Sequence, residues 1–337
     1  MANDLKIVVA GAGTIGCFVG GLLASGGHDV TLLARPRIGQ EIRAHGLTLT
    51  DFSGMAQKVD ADALTLSEKP DCFAEADIIL VTVKSRDTEV VGRLIAAHAP
   101  ATARVISLQN GAENVEALQK LLSHHDVRAG MVPFHVVPMG QGGFHRSSAG
   151  DIIIGSGQEV LSDHLSVPGL VVAERDDITQ LQWGRFLFNL NNGLNALSGL
   201  TLHDQLRDRA WRKLLADQWA EALKVLNANN IQPLSTTSLP IGLTPFVLRL
   251  PTALFTRIAA LMLCVDAQAR SPVSQDMIAG RRTEVDNEQG QVMRMGAQVG
   301  VATPISAMVV EITQLAQTAG EGLPNLPVIA LRREISA

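Results

Sequence analysis

The residues best placed to do chemistry stand at the front of the chain. Gly11, Gly13 and Gly16 form a Gly-x-Gly-x-x-Gly turn, with Thr14 and Ile15 inside it. The apolar run at residues 6–10 leads into the turn, and residues 17–24 continue from it as a helix-forming stretch that Gly26 and Gly27 stop. Strand, glycine turn and helix in that order make a seat for the pyrophosphate of a dinucleotide. Gly11 permits the tight turn, Gly13 lets the backbone approach the phosphates, and Gly16 lets the helix pack close to the strand. The unpaired N–H groups of the first helical turn, around Thr14 and Ile15, then face the anion.

The end of the second strand, residues 29–34, selects the dinucleotide. An NAD site carries Asp or Glu there, to accept from the ribose 2′-hydroxyl. This chain reads Ala34-Arg35-Pro36-Arg37. A carboxylate would repel a 2′-phosphate, whereas an arginine offers that phosphate a planar fork of donors. The pattern predicts NADP(H), with Arg35 as the main contact and Arg37 as a second candidate.

Two more candidates follow from the sheet. Residues 78–83 are a nearly continuous β-rich apolar run, expected of a parallel strand buried on both faces, and the run ends at Lys84. Residues 103–108 form a similar run that ends in Gln109-Asn110-Gly111. In open α/β sheets the ligand lies at the carboxyl ends of the strands, so Lys84 and Asn110 join Gly11 there. Further on, residues 181–197 read as one long helix whose one face carries Arg185, Asn189 and Asn192 at spacings of four and three. A polar stripe among apolar neighbours needs partners or a ligand. His135 and His145 have nothing paired with them at a recognisable spacing and read as structural.

The whole chain bounds these readings. Its 337 residues, 46% hydrophobic and 18% charged, suffice for two domains with a sizeable core. A net charge of −5 without a basic block gives no sign of a nucleic-acid partner. Cys17, Cys72 and Cys264 are odd in number and widely spaced, which indicates neither a disulfide framework nor a zinc site. There is no tyrosine, so a Tyr-Lys catalytic pair is excluded. Asp4 and Lys6 interrupt any signal peptide. Arg249, Pro251 and Arg257 break the apolar stretch at 246–265, which therefore does not span a membrane. A soluble, cytoplasmic protein is expected.

The elements that position the candidates read as follows. A helix is expected at 40–44, a strand pair at 46–50 and 61–66, and helices at 87–98 and 113–122. Short strands at 127–138, 143–146 and 151–154 predict a mostly antiparallel extension of the sheet. The charged stretch 174–177 marks the boundary between domains 1–175 and 176–337. Beyond it the pattern is helical: 211–228, 252–264, a helix entering at 271 and continuing toward 295, and 305–318 behind a Thr303-Pro304 start.

Taken together, these residues resemble the ketopantoate reductase (2-dehydropantoate 2-reductase) family over nearly the whole chain. The resemblance rests on the glycine turn, Arg35, Val83-Lys84, Gln109-Asn110-Gly111, Trp183-x-Arg185-x-x-x-Asn189, and Gln275-Asp276 with residues 281–286, Arg-Arg-Thr-Glu-Val-Asp. It implies an α/β N-terminal Rossmann-type domain that binds NADPH, joined to an all-α C-terminal domain for substrate and dimerisation. It also implies an NADP-dependent oxidoreductase of pantothenate biosynthesis acting on a small anionic substrate, with a homodimer as one assembly. Arg35, Lys84 and Asn110 take cofactor roles, Glu284 lies near the cofactor ribose and the substrate, and Asn189 binds substrate. Three positions depart from the family pattern. Arg185 replaces the lysine taken as general acid, Gly193 replaces a substrate asparagine, and Pro272 replaces a substrate serine, with Ser271 and Ser274 on either side.

The implied reaction is hydride transfer to the carbonyl of a 2-oxo acid. It needs a proton for the developing alkoxide and a cation for the carboxylate. Arginine does not release a proton near neutral pH, so Arg185 is expected to clamp the anion. The proton then comes from Lys84 or from a water held by Asn189. Two other readings stand beside this one: an NADP-dependent enzyme of a different oxo acid or an imine, and a non-catalytic NADP sensor.

Overall fold

The computed structural model describes residues 5–235, 239–258 and 268–336. The chain divides into two compact units, Met1–Thr179 and Gln180–Ala337, a division four residues beyond the expected 175/176. Cys264 and the later part of the apolar helix expected at 252–264 lie outside the described residues.

The first unit is an α/β domain. Its strands are β1 (Lys6–Ala10), β2 (Asp29–Leu33), β3 (Leu47–Asp51), β4 (Ala56–Val59), β5 (Thr65–Ser67), β6 (Ile78–Val81), β7 (Arg104–Ser107), β8 (Asp126–Met131), β9 (Val136–Gly140), β10 (Gly143–Arg146), β11 (Ile152–Gly155) and β12 (Val172–Arg175). Its helices are α1 (Thr14–Ser25), α2 (Pro36–His45), α3 (Thr88–His98), α4 (Ala112–Leu121) and the single turn α5 (Ser162–Leu165). Eight strands form one sheet in the order β12-β11-β8-β7-β6-β1-β2-β5. From β8 to β5 every pair is parallel. Alternate residues of β1 serve opposite faces: Ile7 and Val9 pack with Phe18, Leu22 and Leu23 of α1, while Val8 and Ala10 pack with Val91, Ile95 and Leu118 of α3 and α4. Burial on both faces is why β1 and β6 read as continuous apolar runs. The chain runs outward from β1 to β2 and later returns to β6 on the other side, which makes β1/β6 the switch point where such sheets bind ligands.

Four expectations are corrected here. Residues 61–63 form a 3₁₀ turn, and β3 pairs with β4 instead. β5 joins the main sheet beside β2, where Ala34 donates to the Ser67 carbonyl at 2.8 Å. The extension beyond β7 is mixed: β8 is parallel to β7, only β11 runs antiparallel to it, and β9 and β10 leave to form a second sheet, β4-β3-β10-β9. The charged stretch at 174–177 begins inside β12. Glu174 is tolerated there because its carboxylate accepts from the Leu161 and Ser162 amides.

The second sheet is held by a buried ion pair. Asp51 accepts from Ser53 N, Ser53 Oγ and Met55 N at 2.7–2.9 Å and from the Arg146 guanidinium, which lies over the rings of Phe18 and Phe134. Burial works against its ionisation, but hydrogen bonds from Ser53, Arg146 and Met55 outweigh it and hold the carboxyl well below the usual carboxylate range.

The second unit is helical among its described residues: α6 (Ile178–Asn189, which starts just before the division), α7 (Asn191–Ser198), α8 (Leu202–Arg207), α9 (Arg209–Ala228), α10 (Thr244–Arg249), α11 (Thr252–Ile258), α12 (Pro272–Ile278), α13 (Gln289–Val299), α14 (Pro304–Ala319) and α15 (Val328–Ser336). The long α9 is its axis. Buried Arg212 donates to the carbonyls of Leu206, Leu248 and Leu250 at 2.9–3.1 Å, at the ends of α8 and α10. Buried Glu221 accepts from the amides of Ile305 and Ser306 at 2.8 and 2.9 Å, at the start of α14. A cation at helix C-termini and an anion at an N-terminus both oppose the local dipole favourably. The expected Thr303 cap is thus supplied by Glu221, and Thr303 makes no side-chain cap bond.

Two further corrections concern helix length. The helix expected at 181–197 breaks at Leu190, whose carbonyl accepts from Gln289 Nε2 at 2.7 Å. Gly193 makes room for that approach, because a Cβ there would lie 3.0 Å from Gln289 Nε2 and 2.6 Å from Val309 Cγ1. The helix expected from 271 toward 295 ends after Ile278, at Gly280 with φ +63°, and resumes only at Gln289.

Asp51→Asn should cost about 3–5 kcal/mol at pH 7, the penalty for stranding a buried charge partner. Because the folded carboxyl is depressed, its contribution is present above the unfolded value near ~3.9 and fades as pH falls below it. Urea unfolding should show the full difference from wild type at pH 7 and a smaller one at pH 3.

Candidate active site

The glycine turn is built by close contact. Gly11 sits at φ +118°, and a Cβ on it would meet Val83 Cγ1 at 2.8 Å. A Cβ on Gly16 would lie 2.1 Å from the Gly11 carbonyl and 2.7 Å from Thr82 Oγ1. Thr82 Oγ1 donates to that same carbonyl at 2.6 Å, so the residue after β6 locks the turn. Gly13 differs: beyond its chain neighbours no heavy atom stands within 4 Å of its Cβ position, and it is the N-cap of α1 with no side-chain cap. No acidic residue lies in the first turn of α1. An uncapped helix start with no acidic residue and with room beside Gly13 is what a bound pyrophosphate requires, so these residues fit a dinucleotide.

Arg35 follows β2 and caps α2, with Pro36 at the first helical position. Its side chain is exposed, and Nη2 stands 3.4 Å from Asp87 Oδ2. Arg37 is also exposed and lies 4.0 Å from Glu41 one turn on. Lys84 is exposed at the start of the 3₁₀ turn Ser85–Asp87 after β6, and Asn110 is exposed after β7. Since β2, β1, β6 and β7 are neighbouring parallel strands, Arg35, the glycine turn, Lys84 and Asn110 share one sheet edge.

A buried polar chain fixes that edge. Gln109 Oε1 accepts from Ser107 Oγ, and its Nε2 donates to the Val83 carbonyl at 3.0 Å and to Thr88 Oγ1 at 2.7 Å. Thr88 Oγ1 donates to Asn114 Oδ1 at 2.8 Å. Asn114 Nδ2 then donates to Ser85 Oγ and to the Asn110 carbonyl. The segments carrying Lys84 and Asn110 are thereby tied to each other. Thr82, Thr88 and Asn114 were not singled out from sequence. The available signal was their type, short polar residues at strand ends and first helical turns beside a candidate site.

In the second unit, burial lowers the pKa of the Arg185 guanidinium on α6; Asn189, one turn later, is half-buried. One expected substrate contact is corrected. Ser271 is fully buried; it caps α12 by accepting from Ser274 N at 3.1 Å and donates to the Asn192 carbonyl at 2.9 Å. It joins α12 to α7 and has no surface for a ligand. Asn192 is half-buried, and its Nδ2 donates to Glu288 Oε1 at 2.8 Å. The same bond ties α7 to the turn at 284–288, where half-buried Glu284 sits. Arg281 pairs with Asp276 at 2.8 Å, Thr283 N donates to Gln317 at 2.9 Å, and Asp286 accepts from Gln314 at 2.8 Å, which fixes the turn on both sides. Among the described residues no group of His, Cys, Asp and Glu could hold a metal ion. His145 bonds Thr50 Oγ1 at 2.8 Å between strands.

A parallel-sheet dinucleotide domain with this glycine turn, followed by a helical unit, defines the class of NAD(P)-dependent oxidoreductases. Two family models match the chain: Ketopantoate reductase PanE/ApbA over residues 7–159, and its C-terminal counterpart over 177–317. The chain belongs to the ketopantoate reductase family, oxidoreductases of a CH–OH/C=O couple that use NADPH. A 2-dehydropantoate 2-reductase of Halobacterium salinarum is 24% identical, over 94% of this chain and 100% of that protein. A PanE/ApbA family ketopantoate reductase structure from Ralstonia eutropha superposes with a TM-score of 0.81 at 27% identity, covering 94% of this chain and 100% of that one. A ternary structure of D-mandelate dehydrogenase with NADH and anilino(oxo)acetate shares the fold, with a TM-score of 0.75, 21% identity, and 94% and 99% coverage. No described helix is long and apolar enough to cross a membrane.

Thr88→Val would strand Asn114 Oδ1, at about 1–3 kcal/mol, and leave Gln109 Nε2 with only its bond to the Val83 carbonyl. It should weaken NADPH binding ~10-fold or more, while Thr88→Ser should restore it. Fluorescence titration beside thermal melts checks this; equal binding by both variants would remove Thr88 from any positioning role.

Proposed function

We propose that this protein reduces a small 2-oxo acid with NADPH. The observation that carries the reading is the placing of Arg185, a half-buried cation on α6 one helical turn before Asn189. In a water-poor setting a fixed cation attracts an anion much more strongly than at the surface, and the guanidinium fork matches a carboxylate with two parallel hydrogen bonds. A 2-oxo acid carries that carboxylate next to the reducible carbonyl.

The remaining roles follow from the chemistry of the side chains. The amides of Thr14, Ile15 and Gly16 hold the pyrophosphate, with Gly11 and Gly13 giving it room. Arg35 holds the 2′-phosphate. Bound NADPH supplies the hydride. Lys84 and Asn110 act at the cofactor, Glu284 accepts from the ribose or the substrate, and Asn189 orients the substrate. Asn192 contributes by holding Glu288. Although burial lowers its pKa, Arg185 stays protonated at neutral pH, so it stabilises the negative charge without delivering a proton. The proton reaches the carbonyl oxygen from Lys84 Nζ or from a water held by Asn189.

Family membership supports the reaction type, and 2-dehydropantoate is the first substrate to test. Arg185 stands at the general-acid position of the family pattern and Gly193 at a substrate position, which favours testing a range of acids. A panel running from 2-dehydropantoate to aryl-substituted 2-oxo acids and imines, followed by loss of NADPH absorbance, is the experiment. Turnover of at least one 2-oxo acid supports the proposal. Tight NADPH binding with no turnover of any oxo acid or imine would contradict it and favour a sensor.

With the best substrate, Arg185→Ala should lower kcat/KM by ~10² or more, as loss of a buried charge partner costs about 2–5 kcal/mol. Arg185→Lys should introduce an alkaline limb in the pH profile, because a buried lysine titrates where arginine does not. An unchanged KM for the anionic substrate in Arg185→Ala would show that the clamp lies elsewhere.

A further inference from the structure

Asp87 stands at the N-cap position of α3, where aspartate ordinarily accepts from a backbone amide of the first turn. Here its side chain makes no cap bond. The carboxylate is turned across the sheet edge instead, with Oδ2 3.4 Å from Arg35 Nη2 and 3.9 Å from Arg86 Nε. Arg35 follows β2 and Asp87 follows β6, and these strands flank β1 and its glycine turn. The pair therefore straddles the dinucleotide seat. The end of β2 lacks the carboxylate of an NAD site, and a carboxylate is brought to the same guanidinium from the opposite side.

We propose that Asp87 is a specificity-determining residue that tempers the preference for the 2′-phosphate and lets the site accept NADH as well as NADPH; this rests on the reading of Arg35 as the phosphate contact. A 2′-phosphate drawn to Arg35 meets the negative charge of Asp87 on the same guanidinium, which weakens its binding. A free ribose 2′-hydroxyl meets an acceptor there and donates to it. One carboxylate thus opposes one dinucleotide and favours the other. Because Arg35 is largely exposed, the effect is a surface electrostatic one that salt screens.

The test is direct binding, by nicotinamide fluorescence, of NADPH and of NADH to wild type, Asp87→Asn, Asp87→Ser and Arg35→Ala, with thermal melts alongside. Asn and Ser are themselves good N-caps, so both variants should stay folded. In each, NADPH should bind about tenfold more tightly, the scale of one charge beside a phosphate at a partly exposed site, while NADH binds no better than to wild type. The gain should shrink in ~1 M salt. Unchanged NADPH affinity in both Asp87 variants, or equal tightening for both dinucleotides, overturns the proposal while leaving the phosphate role of Arg35 intact. If Arg35→Ala leaves NADPH affinity unchanged, the reading of Arg35 falls and this inference falls with it.

Discussion

The nucleotide end of the molecule depends on how closely Gly16 approaches the carbonyl of Gly11. At 2.1 Å from that oxygen a Cβ has no place, so the first turn of α1 rests directly on the turn that precedes it. Thr82 closes the arrangement by donating to the same carbonyl. Two consequences follow from this contact. The start of α1, which carries no side-chain cap, is held at the switch point of the sheet, and the end of β6 is bound to the end of β1. Every other candidate in the first unit is placed relative to that edge: Arg35 after β2, Lys84 after β6 and Asn110 after β7.

The second unit obtains its order from buried polar groups of a different kind. Arg212 and Glu221 on α9 meet the ends of other helices with charges of the sign those ends prefer, and Ser271, Ser274 and Asn195 join α12 to α7. These groups are saturated by the fold. Arg185, half-buried on α6, is the cation proposed to hold the anionic substrate. Its identity as arginine separates charge stabilisation from proton delivery. In a lysine those two tasks can be combined, because burial can bring an ammonium pKa toward neutrality.

Much of the nucleotide-binding edge was legible in the sequence because local pattern and tertiary environment agree there. β1 and β6 are buried on both faces, so their apolar runs announce them, and the glycine turn follows from steric need alone. The failures share a cause, which is a partner distant in sequence. Leu190 ends α6 because Gln289 takes its carbonyl, and β5 joins β2 instead of β3. Glu174 sits in a strand because its carboxylate serves α5. Ser271 was expected at the substrate because it flanks the family's serine position, but its partners Asn192 and Asn195, far along the chain, bury it between α12 and α7. Thr88 and Asn114 escaped notice for the same reason: their role is visible only when the ends of β6 and β7 are side by side.

The central claim is that the open space at Gly13 seats the dinucleotide pyrophosphate, and Gly13→Val tests it most directly. The backbone there, φ −82° and ψ −169°, suits any residue, and the added side chain meets no protein atom near its Cβ. The variant should therefore melt within a few degrees of wild type. Its NADPH dissociation constant should rise ~100-fold or more, because the side chain occupies the approach of the phosphates to the α1 amides. An unchanged dissociation constant in a folded Gly13→Val protein would contradict the account.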